Sequence, residues 1–415
     1  MSKLLNTIPS ILSGIIILVF VSCSSSYQPK SHLLPQPENT FSKDIEFQEK
    51  KEYVIDGIHC DNLFDAARLS NFEKINDSTF RAIILPENSP INESSYFAFR
   101  IWSEADKNIH LELHYPEYNH RYWPKLSYDK NNWFRVDSTR FDTLKGGDLG
   151  TLKLFLNDQK LFVSAQEIMD SKHTEEWCHQ LARSSTQVNH KIIGKSKLNR
   201  DLHFLDIYEG SPEDKSCIAI FSRLHPPEVT GYMAMEHFVG ELLNDSALSR
   251  SFRDKYRIMV YPLINPDGVD LGHWRHNAGG IDLNRDWAYY RQEEVFQVAH
   301  HLVSEVRKND NKLLLGLDFH STQEDVYYTL TDNRRSSIYN FKDLWVEAID
   351  NNLPDYTPDD QPYDLNQPIT KAWFYLEFDA EGITYEVGDE TPRHFVREKA
   401  EVAAREMMKL MILRN

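Results

Sequence analysis

Near residues 163–174 the hydrophobic pattern of the chain changes period, and this change restricts the fold more than any other feature. Upstream, short runs alternate apolar with polar residues, as in Thr79-Phe80-Arg81-Ala82-Ile83-Ile84-Leu85 and Asn108-Ile109-His110-Leu111-Glu112-Leu113. A period of two, broken by turn-rich pieces, predicts half-buried strands and an all-β antiparallel sandwich over residues 42–165. Downstream, buried-strand runs such as Cys217-Ile218-Ala219-Ile220-Phe221, Arg257-Ile258-Met259-Val260-Tyr261 and Leu313-Leu314-Leu315-Gly316-Leu317 take turns with helical patterns. The helices fall around 175–183, after Gly231 through Met235, Phe238 and Leu242, around 293–307, and at 394–413. This order predicts an α/β domain over 166–415, with a mixed, largely parallel sheet flanked by helices.

The N-terminus reads as an address. Lys3, the apolar run Ile15-Ile16-Ile17-Leu18-Val19-Phe20-Val21 and the small residue Ser22 follow the order of an export signal. Val21-Ser22-Cys23 resembles a bacterial lipobox, which implies a signal peptide over 1–23 and lipidation of Cys23. The apolar run falls short of the roughly 20 residues that a spanning helix needs. Residues 24–41, rich in Ser, Pro and polar side chains, read as a tether. The expected location is the cell envelope, with the body exported and lipid-anchored to the membrane on its periplasmic or surface side.

A formal charge of 46 − 63 = −17, with no compensating basic run, argues against nucleic acid or an anionic membrane surface as partner. Oligomeric state is not legible in the sequence. Lipidation of Cys23 would leave Cys60, Cys178 and Cys217, an odd number that cannot all pair within the chain. One disulfide and one buried thiol are allowed, no cysteine spacing suggests a metal site, and all three read as structural.

Chemistry concentrates where strands of the second unit end. His225 and Glu228 stand three residues apart directly after a buried-strand run, and Zn²⁺ accepts His nitrogen and carboxylate oxygen together. The chain holds another His-x-x-Glu, His173 to Glu176, but that pair lies on a polar helical face. Further strand ends supply Asn265-Pro266-Asp267-Gly268, then Arg275, Asp282, Asn284 and Arg285, then Asp318-Phe319-His320-Ser321 and Thr384-Tyr385-Glu386. Two imidazoles, two arginines, an amide and a spare carboxylate are the parts that metal-assisted amide hydrolysis requires.

With Ile192-Ile193-Gly194-Lys195-Ser196 and Arg200-Asp201, these residues resemble the zinc carboxypeptidase family from about Lys191 to Glu386. The resemblance implies one Zn²⁺ per chain, held by His225, Glu228 and His320, with Asp282 orienting His225. Arg275 would polarise the scissile carbonyl, and Asn284 and Arg285 would hold the terminal carboxylate of a peptide or protein substrate. Glu386 would be the general base. The short Arg275-to-Asn284 connection and the preceding sandwich are similar to the cytosolic-type carboxypeptidases that remove glutamate from protein tails. Lys371 then falls on the floor of the side-chain pocket, where an ammonium selects an acidic residue. For the substrate-binding tyrosine, Tyr363 and Tyr375 are both open.

The resulting expectation is an exported zinc metallocarboxypeptidase selective for acidic C-terminal residues. Two rival readings are a peptidoglycan stem-peptide (γ-glutamyl) hydrolase of the same fold and a non-catalytic binding protein that uses its sandwich.

Overall fold

A computed structural model describes residues 27–37, 40–144, 146–308, 310–331 and 336–414. The expected export signal and Cys23 lie outside these residues. Among the described residues no helix is long and apolar enough to cross a membrane.

The first unit is a two-sheet sandwich. One sheet has the order β1 (Glu52–Ile55), β2 (Ile58–Asp61), β5 (Ala98–Ser103), β11 (Leu161–Ser164), β7 (Lys125–Ser127) and β8 (Phe134–Arg135). The other runs β3 (Asn71–Lys74), β4 (Thr79–Ile83), β6 (Lys107–His114), β10 (Leu149–Leu156) and β9 (Phe141–Thr143). Alternation does what the sequence predicts: in β6, Ile109, Leu111 and Leu113 are buried while Asn108 and His110 face solvent. The pairing is antiparallel except between β4 and β6, which run parallel.

The second unit is built on one sheet of eight strands in the order β12 (Val188–Lys195), β13 (Asp201–Ile207), β15 (Tyr256–Tyr261), β14 (Ser216–Ser222), β16 (Leu313–Thr322), β19 (Glu381–Gly388), β17 (Val326–Leu330) and β18 (Asp360–Tyr363). The central four, β15-β14-β16-β19, are parallel, and antiparallel pairings at both flanks make the sheet mixed. Helices α1 (Ser171–Ser184), α2 (Val229–Leu242), α3 (Ala247–Lys255), α4 (Pro266–Leu271), α5 (Glu293–Lys308), α6 (Phe341–Asn352), α7 (Thr370–Phe378) and α8 (Arg393–Arg414) complete it. Because both faces of the parallel strands are covered, those strands are mostly apolar along their middles, and two separate cores form, one under α2 and α8 and one under α5 and α7.

Three details place the functional side chains. Helix α2 begins at Val229, so the His225 to Glu228 turn is held between the end of β14 and a helix start. Gly231 lets that helix touch β16, since a Cβ there would stand 2.2 Å from the carbonyl oxygen of His320. Trp274 leaves the second unit to fill the sandwich core, where it is fully buried and its Nε1 donates to Tyr96 O at 2.9 Å.

The described part of the expected tether does not hang free. Residues 27–37 lie along the second unit, with Arg307 donating to Gln28 O (2.9 Å), Tyr290 to Lys30 O (2.9 Å) and Tyr289 to Leu34 O (2.8 Å). A polar chain without its own ladder is ordered when side-chain donors satisfy its carbonyls. Cys60, Cys178 and Cys217 are all free and buried, so the allowed disulfide is absent among the described residues.

Candidate active site

His225, Glu228 and His320 converge. The Nδ1 atoms of the two rings face the Glu228 carboxylate at 2.8 and 2.6 Å, and the three donor atoms lie within 4.8 Å of one another in a buried pocket. Each ring is fixed from behind by an aspartate. Asp282 Oδ1 lies 3.0 Å from His225 Nε2, and Asp318 Oδ2 lies 2.7 Å from His320 Nε2. Such partners set the tautomer and aim the opposite nitrogen at a metal. Asp282 has a second task, since its Oδ2 accepts from Arg275 Nε at 2.7 Å.

The electrostatics suit a cation. Burial alone would raise the Glu228 carboxyl, but His225 and His320 hold it well below its ordinary range. Burial is likewise overridden at His320, where Asp318 and Glu228 push the ring upward, and at Asp282, which Arg275 and His225 hold far down. Three carboxylates around two largely buried imidazoles are a donor set and field that fit Zn²⁺.

Glu386 enters by register. Parallel pairing of β16 with β19 sets Glu386 beside His320, both pointing to the same face. Burial, with Glu228 and Asp318 adding repulsion, pushes its carboxyl up to about 8, and its Oε2 is buried without a hydrogen-bond partner among the described residues. A carboxyl kept basic and unpaired is what a proton-transfer group requires.

His225, Glu228, His320 and Glu386 line one cavity of about 320 Å³ together with Arg275, Asn284, Arg285, Tyr363 and Lys371. Asn284 is locked in place, its Oδ1 accepting from Thr370 N at 2.9 Å and its N donating to Asp282 at 2.8 Å. Lys371 is fully buried, and its ammonium donates to Thr329 O (2.7 Å) and Tyr363 O (3.1 Å). Burial lowers it to about 7, against the pull of Asp360, Asp364 and Glu381. Of the two candidate tyrosines, Tyr363 lines the cavity, whereas Tyr375 does not and packs near Leu330, Leu365 and Ala372. Four residues along α7 from Lys371, it is carried about 6 Å further down the helix axis.

The cavity also takes residues that sequence reasoning missed. Asn92 and Arg121 come from the sandwich, and Tyr328 from β17. Arg121 Nε donates to Asp389 (2.8 Å) and its Nη1 to Ser94 (2.8 Å). For Asp318 a signal existed: two residues before His320 on a strand, it had to share that side chain's face. Nothing in the sequence marked Arg121.

The sequence profile of the zinc carboxypeptidase family matches residues 174–402. Cytosolic carboxypeptidase 2 of Xenopus tropicalis is 33% identical over 108 residues, 26% of this chain and 11% of that protein. An uncharacterized protein of Zymomonas mobilis is 25% identical over 249 residues, 58% of this chain and 62% of that one. The chain thus spans less than two thirds of the length of these relatives. Among solved structures, a metallo-carboxypeptidase from Burkholderia cenocepacia superposes with a TM-score of 0.70 at 18% identity, over 86% of this chain and 99% of that one. One from Pseudomonas aeruginosa, in complex with (2-guanidinoethylmercapto)succinic acid, gives 0.68 at 17% identity, over 86% and 100%. Both cover far more than the catalytic unit, so the fold is shared through the sandwich as well. The chain belongs to the zinc carboxypeptidase family.

Proposed function

We propose that the protein is a zinc-dependent metallocarboxypeptidase that removes the C-terminal residue of peptides or proteins and accepts an acidic side chain best. The observation that carries this reading is that a complete His-Glu-His donor set, a basic unpaired carboxyl and four cationic side chains share one cavity. His225, Glu228 and His320 would hold the zinc, which would act as a Lewis acid on the scissile carbonyl and lower the pKa of water. Arg285 and Asn284 would receive the terminal carboxylate, which fixes the bond to be cut as the last one in the chain. Arg275 would donate to the carbonyl oxygen as negative charge develops there, with Asp282 keeping its guanidinium aimed. Glu386 would accept a proton from the attacking water and pass it to the departing nitrogen.

Lys371 supports acidic selectivity because a buried ammonium that donates to two carbonyls and lies over the Tyr363 ring gains from an anion placed in the cavity. Export to the cell envelope by a lipid on Cys23 is part of the same proposal, supported by the Val21-Ser22-Cys23 sequence and the apolar run before it. Mass spectrometry of a peptide library varied only at its last residue, with Glu386→Gln as control, tests the reading. Loss of one residue, fastest for Glu or Asp and absent in the control, is the expected result. Shortening of none of the peptides by zinc-loaded protein would overturn it.

A further inference from the structure

Helix α1 lies over the edge strand β12 and its neighbour β13 and brings a thiol against two imidazoles. Cys178 Sγ and one nitrogen each from His190 and His203 lie within 4.8 Å of one another. His190 Nε2 and His203 Nδ1 are 2.9 Å apart, and the rings stack at 5.1 Å with 19° between their planes. Cys178 and His203 are buried and His190 is partly open. On that open side the ring of His179 stands edge-on to His190 at 4.8 Å. The cluster shares no residue with the lining of the catalytic cavity, and β15 stands between β13 and β14 in the sheet.

The chemistry of this cluster is that of a metal site. One thiolate and two or three imidazoles form a common ligand set for tetrahedral Zn²⁺. Zinc–nitrogen bonds of about 2.0–2.1 Å would hold two ring nitrogens roughly 3.3 Å apart. The observed 2.9 Å therefore has to open by only a few tenths of an ångström. Burial lowers both His190 and His203, the latter to about 4, so both rings are neutral near pH 7, the form in which imidazole ligates. Burial raises the Cys178 thiol, so the thiolate forms only when a cation replaces its proton.

We propose that Cys178, His190 and His203 form a second zinc site, distinct from the catalytic one, with His179 beside its outer position. Binding would form one Zn–S and two Zn–N bonds and release the thiol proton to solvent. The ion would clip α1, the first helix after the sandwich, to the edge of the catalytic sheet. Without an ion, the same three residues would be a buried thiol packed beside a hydrogen-bonded His pair.

Metal content and the cobalt spectrum separate the two states. Wild-type protein purified without chelator should carry two zinc ions per chain by elemental mass spectrometry. Cys178→Ser should carry one and retain turnover, whereas His320→Gln should carry one and lose turnover. After cobalt exchange, wild type and His320→Gln should show a thiolate-to-cobalt charge-transfer band, which Cys178→Ser should lack. The catalytic cluster holds no cysteine, so this band reports the second site whatever the peptidase assay shows. If Cys178→Ser fails to fold, His190→Gln at the partly open position should lose the same ion. A single zinc in wild type with no charge-transfer band, or an unchanged metal count in a folded Cys178→Ser or His190→Gln protein, overturns the proposal.

Discussion

Glu87, buried in the sandwich, accepts the backbone N–H of Arg275 at 2.9 Å, and its two carboxylate oxygens also take the N–H groups of Trp274 and His276, each at 2.7 Å. Despite burial, His273, His276 and Arg68 hold the Glu87 carboxyl at about 2, so it stays ionised. Together with Trp274 in the sandwich core, this clasp sets the loop from which Arg275 reaches the cavity. The sandwich is therefore part of the site's scaffold.

Replacing Glu87 tests that dependence. Glu87→Ala would leave three buried donors unpaired, each costing about 1–3 kcal/mol, so the melting temperature should fall by several degrees or more. The milder Glu87→Gln should fold with one or two of these bonds weakened. Its kcat should drop about 10- to 100-fold as the arginine drifts by a fraction of an ångström, with the metal content unchanged. A Glu87→Gln enzyme with wild-type kcat would show that the loop holds Arg275 unaided.

Asp318 fixes His320 and also accepts from the Thr370 hydroxyl. Asp318→Asn keeps the shape but loses the charge, and its amide can turn a donor toward the ring. Zinc affinity, measured by competition with a chromophoric chelator, should weaken about 10- to 100-fold. Unchanged affinity would mean that the His320 ring is oriented by packing alone.

The pH dependence of selectivity follows from Lys371. Its ammonium, lowered by burial to about 7, is charged below that value and neutral above it. A substrate glutamate is ionised above about 4.3. Preference for C-terminal Glu over Gln, taken as the ratio of kcat/KM values, should therefore be greatest between these limits and decline as pH rises through 7. Lys371→Met should abolish the preference at every pH. A ratio flat from pH 5 to 9 in wild type would remove Lys371 from the specificity pocket.

The parts of the site that sequence reveals are those fixed by local rules. His225, Glu228 and His320 sit at strand ends next to apolar runs, and parallel sheets gather ligands there. The residues that stayed hidden depend on packing across units. Glu87, Asn92 and Arg121 carry no motif, and only the docking of the sandwich gives them a role. Helix α7 was hidden for another reason: Lys371, Ala372, Trp373 and Phe374 are all buried, so no helical stripe distinguishes its faces. Strand β18 lacks an inward face, because Gln361, Pro362 and Tyr363 are all exposed, and it shows no alternation to detect.

Gly231 offers the sharpest link between backbone packing and the metal donors. It stands in the first turn of α2, two residues past Val229, and its N–H donates to Ser321 Oγ at 2.8 Å. A methyl group at this position would approach the His320 carbonyl oxygen to 2.2 Å and the His320 nitrogen to 2.9 Å, both of them backbone atoms that no rotamer change can move. Helix α2 would have to lift from β16, and it would take Glu228, the residue before its first turn, with it. The His320 and Glu228 donors would then separate. Overpacking of this kind costs about 1–3 kcal/mol or more. Gly231→Ala should therefore lower the melting temperature and lose zinc together, while Gly240→Ala, on the same helix with open space around it, should keep the zinc and leave the melting temperature equal or slightly higher. Thermal melts with and without added zinc, read beside metal content, check this. A Gly231→Ala protein that keeps wild-type zinc affinity would show that the α2–β16 contact does not set the donor geometry.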